Sequence, residues 1–246
     1  MMKRRRSRTH GCAWPLVCGV VIALVLSGSS LTAQTSEPKL SKKKELSLLL
    51  VGGGLLGASL LADPSHSCPC EPDSVNGLDR RFAGDSLRSG TAKVSDTFLY
   101  GVVPVAAVSL AALDGGRRGL PNRGLVVAEA WLIDTGLTNV VKRTVARPRP
   151  FVYGLPAGTQ ALQEDASYAS FFSGHSSMTF AVGFAAARSF APGQSRKRTF
   201  VRYAVATGLA ATTGALRVAA RKHFPSDVLA GAAAGATVGL YTARVH

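Results

Sequence analysis

The sequence predicts an all-α chain, a bundle of about five to six helices that cross a membrane. Two observations carry that reading. Hydrophobic residues make up 46% of the 246 and charged residues only 17%, whereas about 25% charged is usual for a soluble domain. The apolar residues are also gathered into discrete runs rich in Gly and Ala, a composition common where membrane helices pack closely. The mean hydropathy of +0.17 is too low for a chain that faces lipid along most of its length. A chain of this size is either one domain with a full core or a compact membrane bundle.

Taken in order, residues 1–33 read as a signal peptide or an N-terminal anchor. Lys3, Arg4, Arg5, Arg6 and Arg8 form a charged start, Ala13 to Leu26 an apolar stretch, and small or polar residues lead to Ala33, the layout of a secretory signal. Cleavage after Ala33 would leave Leu31 at a poorly suited position, and retention as an anchor is the alternative. Residues 34–97 form a second region. Lys39, Lys42, Lys43 and Lys44 precede an apolar run from Leu46 to Ala62, and residues 63–97 read as a polar loop with one short helix. Cys12 and Cys18 fall in the first apolar stretch; Cys68 and Cys70 flank Pro69. Two ligands alone do not close a zinc site, and a bridge across one residue would be a tight ring, so no catalytic part is assigned to them.

Residues 98–243 form the third region, with apolar segments at roughly 98–113, 125–141, 176–191, 200–216 and 227–243. Each is near the lower limit of about 17 residues for crossing a bilayer, and each would also fit a buried helix of a soluble bundle. Basic clusters on alternate sides favour membrane spans. Arg117, Arg118 and Arg123, then Arg196, Lys197 and Arg198, and finally Arg244 mark one side, which the positive-inside tendency makes cytoplasmic. The connections 142–175 and 217–226 then face outward. One conflict arises within this scheme: if residues 1–33 are cleaved and Leu46–Ala62 spans, every later segment inverts. Lys42 to Lys44 favour a cytoplasmic start for that run.

The net charge of +15 raises nucleic-acid binding as a function. The basic residues lie in short clusters between apolar runs, without interleaved aromatics or a known binding module. No nucleic-acid partner is therefore expected; anchoring beside anionic lipid and a phosphate site account better for the charge.

Three stretches carry residues suited to phosphate chemistry. Lys142-Arg-Thr-Val-Ala-Arg-Pro-Arg149-Pro150 ends one apolar segment. Lys142 supplies a compact charge and Arg149 a planar fork for two phosphate oxygens. Alone, such a run is usually a membrane-surface anchor. Phe172-Ser173-Gly174-His175 opens the next segment. Ser173 suits an N-cap, Gly174 permits close approach to the backbone, and helix-start N–H groups bind anions. His175 would stand ready to donate a proton. Arg217 closes a further segment, with His223 in the connection and Asp227 opening the last helix. Asp227 is expected to reach back to one nitrogen of His223, fixing its tautomer and freeing the other to attack. Each stretch alone has a plain reading as a cap or a surface charge; all three in order on one side do not.

Together these residues resemble the three-part signature of the type 2 phosphatidic acid phosphatase (PAP2) superfamily, which includes lipid phosphate phosphatases, bacterial acid phosphatases and vanadium haloperoxidases. Lys142, Arg149 and Pro150 match its first part. Ser173, Gly174 and His175 match the second, with Phe172 in place of a proline. Arg217, His223 and Asp227 match the third, with Leu216 in place of a serine. The similarity spans roughly residues 95–243. It implies a PAP2/haloperoxidase-like helical fold, with residues 98–243 as the phosphatase domain. It also implies attack on phosphorus by His223, a phosphohistidine, proton transfer by His175, and phosphate binding by Lys142, Arg149, Ser173, Gly174 and Arg217. No metal or other cofactor is expected, because three fixed cations stand where a magnesium ion would act. The expected substrate is a phosphorylated lipid or another phosphate ester, met at a bacterial inner membrane with the site facing the periplasm or cell exterior. Phosphotransfer to envelope lipids, vanadate-dependent halide oxidation and headgroup binding without catalysis are the alternatives. Arg143, Arg147, Arg221 and Lys222 read as spare charges toward headgroups or solvent. Phe151, Val152, Tyr153, Phe171 and Phe172 read either as contacts to a lipid chain or as ordinary packing.

Overall fold

A computed structural model of the chain describes residues 40–61, 75–84, 86–115, 120–189 and 193–246. The signal or anchor segment, all four cysteines and His66 lie outside the described residues. Helix α1 is Lys42–Leu61. α2, Ser89–Thr97, runs through a π-helical turn at Phe98–Val102 into α3, Val103–Gly115. α4 is Leu120–Val145, α5 Gly174–Ser189, α6 Arg196–Ala219 and α7 Pro225–Val245. The remaining described structure is short 3₁₀ turns and irregular connections; among the described residues there is no strand. The all-α expectation holds.

The chain passes back and forth between two ends. The Lys44 ammonium donates to the Val245 carbonyl at 2.8 Å, so α1 starts where α7 finishes. At the other end, Arg88 N–H donates to Ala220 O at 3.1 Å and Ser173 N–H to Asp227 O at 3.0 Å. The starts of α2, α5 and α7 and the end of α6 therefore meet there. α5 sits at the centre, packed by α3, α4, α6 and α7.

Glycines set the tightest crossings. Gly231, Gly235 and Gly239 repeat every four residues along one face of α7, the small-residue stripe that lets helix backbones approach. A Cβ at these positions would lie 2.5, 1.9 and 2.3 Å from the carbonyl oxygens of Ser173, Ser177 and Ala181. Most of this stripe runs along α5. α1 crosses α4 in the same manner, with Gly52 against Leu132 and Gly136 against Leu55.

The pattern of exposure is that of a membrane protein. Leu50, Leu60 and Leu61 of α1, Val105 and Val108 of α3, and Leu229 and Tyr241 of α7 are exposed, while Glu129, Asp134, Arg202, Arg217 and Asp227 are buried. Among the described residues, three helical stretches, Lys42–Leu61, Leu120–Gly154 and Pro225–Val245, are long and apolar enough to cross a membrane. The segment expected to start at residue 98 is entered from α2, Ser89–Thr97, the short helix expected within residues 63–97. The first residues of α2 are polar, yet Ala92 and Ser95 are buried.

Candidate active site

Two helix ends deliver the first and third stretches. α4 stops at Ala146, which takes a left-handed conformation (φ 45°) and returns its N–H to Lys142 O at 3.0 Å. Pro148 and Pro150 then exclude further helix, and Arg149 is held extended (φ −77°, ψ 156°). α6 ends in a Schellman turn. Arg221 adopts φ 61°, its N–H donates to Val218 O at 3.0 Å, and Lys222 N–H donates to Arg217 O at 3.1 Å. A non-glycine residue in that region costs of order 1–3 kcal/mol. The turn places His223 directly after the helix that carries Arg217.

His223 is 1% exposed. Its Nδ1 lies 2.7 Å from the Ser170 carbonyl. A carbonyl only accepts, so Nδ1 carries the proton and Nε2 the lone pair. Nε2 is buried without a hydrogen-bond partner. Burial, and then the charges of Arg149, Lys142 and Arg217, hold the imidazole well below its usual range, so the ring is neutral and nucleophilic.

The expected pairing of His223 with Asp227 is corrected. Asp227 Oδ2 is 4.0 Å from Nδ1, and the backbone of Ser170 takes the position expected for the carboxylate. Asp227 accepts instead from Ser170 Oγ at 2.6 Å and Phe224 N–H at 2.9 Å, and from the Arg147 guanidinium. It reaches the His223 ring through Ser170, whose hydroxyl it binds while the same residue's carbonyl holds the ring. Arg147 is likewise no spare charge. It donates to Asp79 at 2.9 Å and to Ser226 Oγ at 2.9 Å, and lies over the Phe224 ring at 4.4 Å. Asp79 is fully buried and also accepts from Asn76 Nδ2 at 2.8 Å and Ser226 N–H at 3.1 Å. Burial works to raise its pKa, but hydrogen bonds from Ser226, Arg147 and Asn76 prevail and hold it below the ordinary value.

In the second stretch the expected N-cap forms. Ser173 Oγ accepts from Ser176 N–H at 3.4 Å, capping α5. A Cβ on Gly174 would meet Thr138 Cγ2 at 3.0 Å and Lys142 Nζ at 3.3 Å, so a side chain there would crowd the lysine. His175 stands in the first turn, beyond the apolar segment that begins at Ser176. Its Nε2 is 2.7 Å from Asp96 Oδ1, and Arg217 donates to that same oxygen at 3.1 Å and to Ser95 Oγ at 3.0 Å. Burial first, then Arg217, lower the His175 pKa to about 4 against the opposing pull of Asp96. The site therefore gathers Lys142, Arg149, Arg217, Ser173, Gly174, His175, His223 and Asp227 at one end of the bundle.

A family model described as the PAP2 superfamily matches residues 123–246. The chain belongs to the PAP2 superfamily. Membership supports a phosphatase- or haloperoxidase-type activity on phosphate esters. No curated protein and no solved structure gave a significant match. The PAP2 match begins after Asp79, Ser95 and Asp96, which nonetheless reach into the site. Sequence reasoning missed these three, together with the roles of Arg147 and Ser170. Val152 and Phe172 are buried and Tyr153 packs edge-on against Phe224, so these aromatic and apolar neighbours pack the PAP2 site.

Proposed function

We propose that the chain hydrolyses a phosphorylated lipid through a phosphohistidine on His223. The observation that carries this reading is His223 itself: neutral, proton fixed on Nδ1, lone pair on Nε2, buried and surrounded by three cations. Nε2 attacks phosphorus, forming the N–P bond as the ester P–O bond breaks. Lys142, Arg149 and Arg217 balance the charge on the phosphoryl oxygens. His175 gives its proton to the leaving oxygen, then takes one from the water that breaks the N–P bond.

Burial, and then Arg217, disfavour the charged form of His175, which is therefore neutral at pH 7. A phosphate dianion resting on the three cations offsets that repulsion, so substrate binding itself prepares the acid. Asp96 Oδ1, between His175 and Arg217, stands where a phosphoryl oxygen would sit and yields to it.

The lipid part of the reading rests on an apolar groove of about 390 Å³ between α3 and α4, lined by Leu99, Tyr100, Val103, Val127 and Trp131 among others. Tyr100 meets the His175 ring edge-on with centroids 6.0 Å apart, so the groove leads to the proton donor. Lys42 to Lys44 and the clusters at Arg196 and Arg244 lie at the end opposite the site. The positive-inside tendency then turns the site to the periplasmic face of an inner membrane.

The test is phosphate release in detergent, with chelator present, from a set of lipid phosphates and one soluble phosphomonoester. Release that is lost in His223→Ala, with an acid-labile, base-stable phosphoenzyme trapped in wild type, is expected. Equal turnover by wild type and variant would overturn the assignment.

A further inference from the structure

The far end of the bundle holds a second cluster of ionisable groups that the chemistry above does not use. Glu45 comes from the first turn of α1, Glu129 from α4, and His246 follows α7. His246 Nε2 is 2.9 Å from Glu129 Oε2, and its Nδ1 is 3.2 Å from Glu45 Oε1. One ligand atom from each residue can be chosen so that all lie within 4.8 Å of one another. The side chains of His246 and Glu129 are 1% exposed and that of Glu45 14%. Glu129 Oε1, wholly buried, has no hydrogen-bond partner.

From this geometry we propose that Glu45, Glu129 and His246 bind a divalent transition ion of the zinc type. The charge argument is direct. With both carboxylates ionised and the imidazole neutral, the cluster would carry two negative charges in a buried place, which is costly unless they are neutralised. A proton on His246 cancels one of them; a divalent ion cancels both. The nearby Lys44 ammonium is turned to the Val245 carbonyl. The donor set also discriminates: one imidazole and two carboxylates suit zinc and its neighbours, whereas magnesium and calcium take oxygen ligands. Ligand atoms about 2.0–2.1 Å from a tetrahedral ion lie about 3.4 Å apart; with a single ring nitrogen of His246 used, the three ligand atoms lie within 4.8 Å of one another, so side-chain rotation would bring them onto the ion. A water would complete the shell. Bound there, the ion clamps α1 to α4 and to the end of α7, far from His175 and His223.

The test uses the full chain in detergent, stripped with chelator, incubated with zinc and freed of excess. Metal per chain and the melting temperature are read for wild type, Glu129→Gln, Glu45→Gln and His246→Ala. Wild type is expected to hold one more zinc than each variant. Its melting temperature should rise with the logarithm of zinc concentration, while the variants do not respond and still hydrolyse the phosphate ester. Comparison with the variants removes zinc held at Cys68 and Cys70 from the count. Equal zinc in wild type and variants, or a wild-type melting temperature indifferent to zinc, would overturn the proposal. An equal response to magnesium would overturn the assignment to zinc-type ions. Should Glu129→Gln fail to fold, Glu45→Gln, at the start of α1, carries the comparison.

Discussion

Replacing Gly235 by alanine should damage stability and turnover together, because it drives α5, which carries His175, away from α7, which begins two residues after His223. A Cβ at this position would stand 1.9 Å from the Ser177 carbonyl oxygen and 2.7 Å from its carbon. Both are backbone atoms of α5 and cannot rotate away. Restoring even 3.0 Å requires about 1.1 Å of separation between α5 and α7 at that level. Overpacking of this kind costs about 1–3 kcal/mol, sometimes more, and here the upper figure applies because backbone faces backbone. For a chain of this size that is a fall of about 6–12 °C in melting temperature. The separation would be felt at the site, where Ser173 N–H is bonded to Asp227 O, and a misplacement of about 1 Å can cost about 100-fold in rate. Gly208→Ala on α6 is the control. Nothing lies within 4 Å of its added methyl, and a helical Gly→Ala change of that kind stabilises by about 0.4–1 kcal/mol. Melting in detergent and phosphate release are read for both variants. A Gly235→Ala protein with wild-type melting and turnover would refute the close approach of α5 and α7.

Three further outcomes are expected. Arg147→Gln removes the cation shared by Asp79 and Asp227, and breaking such a buried pair costs about 3–5 kcal/mol; denaturant unfolding should show the loss, along with reduced turnover. Asp96→Asn takes a negative charge away from Arg217 and His175, so inorganic phosphate should inhibit several-fold more strongly while turnover falls; unchanged phosphate inhibition would count against Asp96 as the stand-in for a phosphoryl oxygen. The third concerns pH. His175 and His223 have folded pKa values below the unfolded value of about 6.5, so the unfolded chain takes up protons first as pH falls. Their contribution is complete above about pH 6.5 and declines toward pH 4, by up to about 1.4 kcal/mol per pH unit for each group. Melting from pH 7.5 to 4.5 should show this decline, and His175→Gln should flatten it.

The helices were legible because apolar runs bounded by basic or Pro-containing connections are local signals. The signature residues were legible for a related reason: each part of the pattern lies within a dozen residues. What escaped was the choice of partners across the chain. Asp227 sits four residues after His223 and was expected to hold it, but the loop before α5 brings the Ser170 carbonyl closer. Arg147 looked like one more basic residue until Asp79, 68 positions earlier, was placed against it. Asp79 and Asp96 lie in a polar stretch with no periodicity to mark them. Only Asn76, three residues before Asp79 and bonded to it, offered a local hint of a built turn. Polar groups buried inside a helical bundle leave no pattern in sequence, since their positions are fixed by where the helices end rather than by their own spacing.

The partnership of Asp79 with Arg147 and Ser226 bears on how portable this catalytic unit is. A fragment beginning near residue 120 would retain every residue of the three-part signature and the whole of the family match. It would take Asp79 from Arg147, strip Ser226 of its anchor, and remove the Ser95 and Asp96 contacts of Arg217. Recombination between relatives at the start of the matched region would therefore join halves that had never been fitted to each other. Exchanges that carry residues 75–246 as one block would keep His175, His223 and the residues that hold them in a single inheritance.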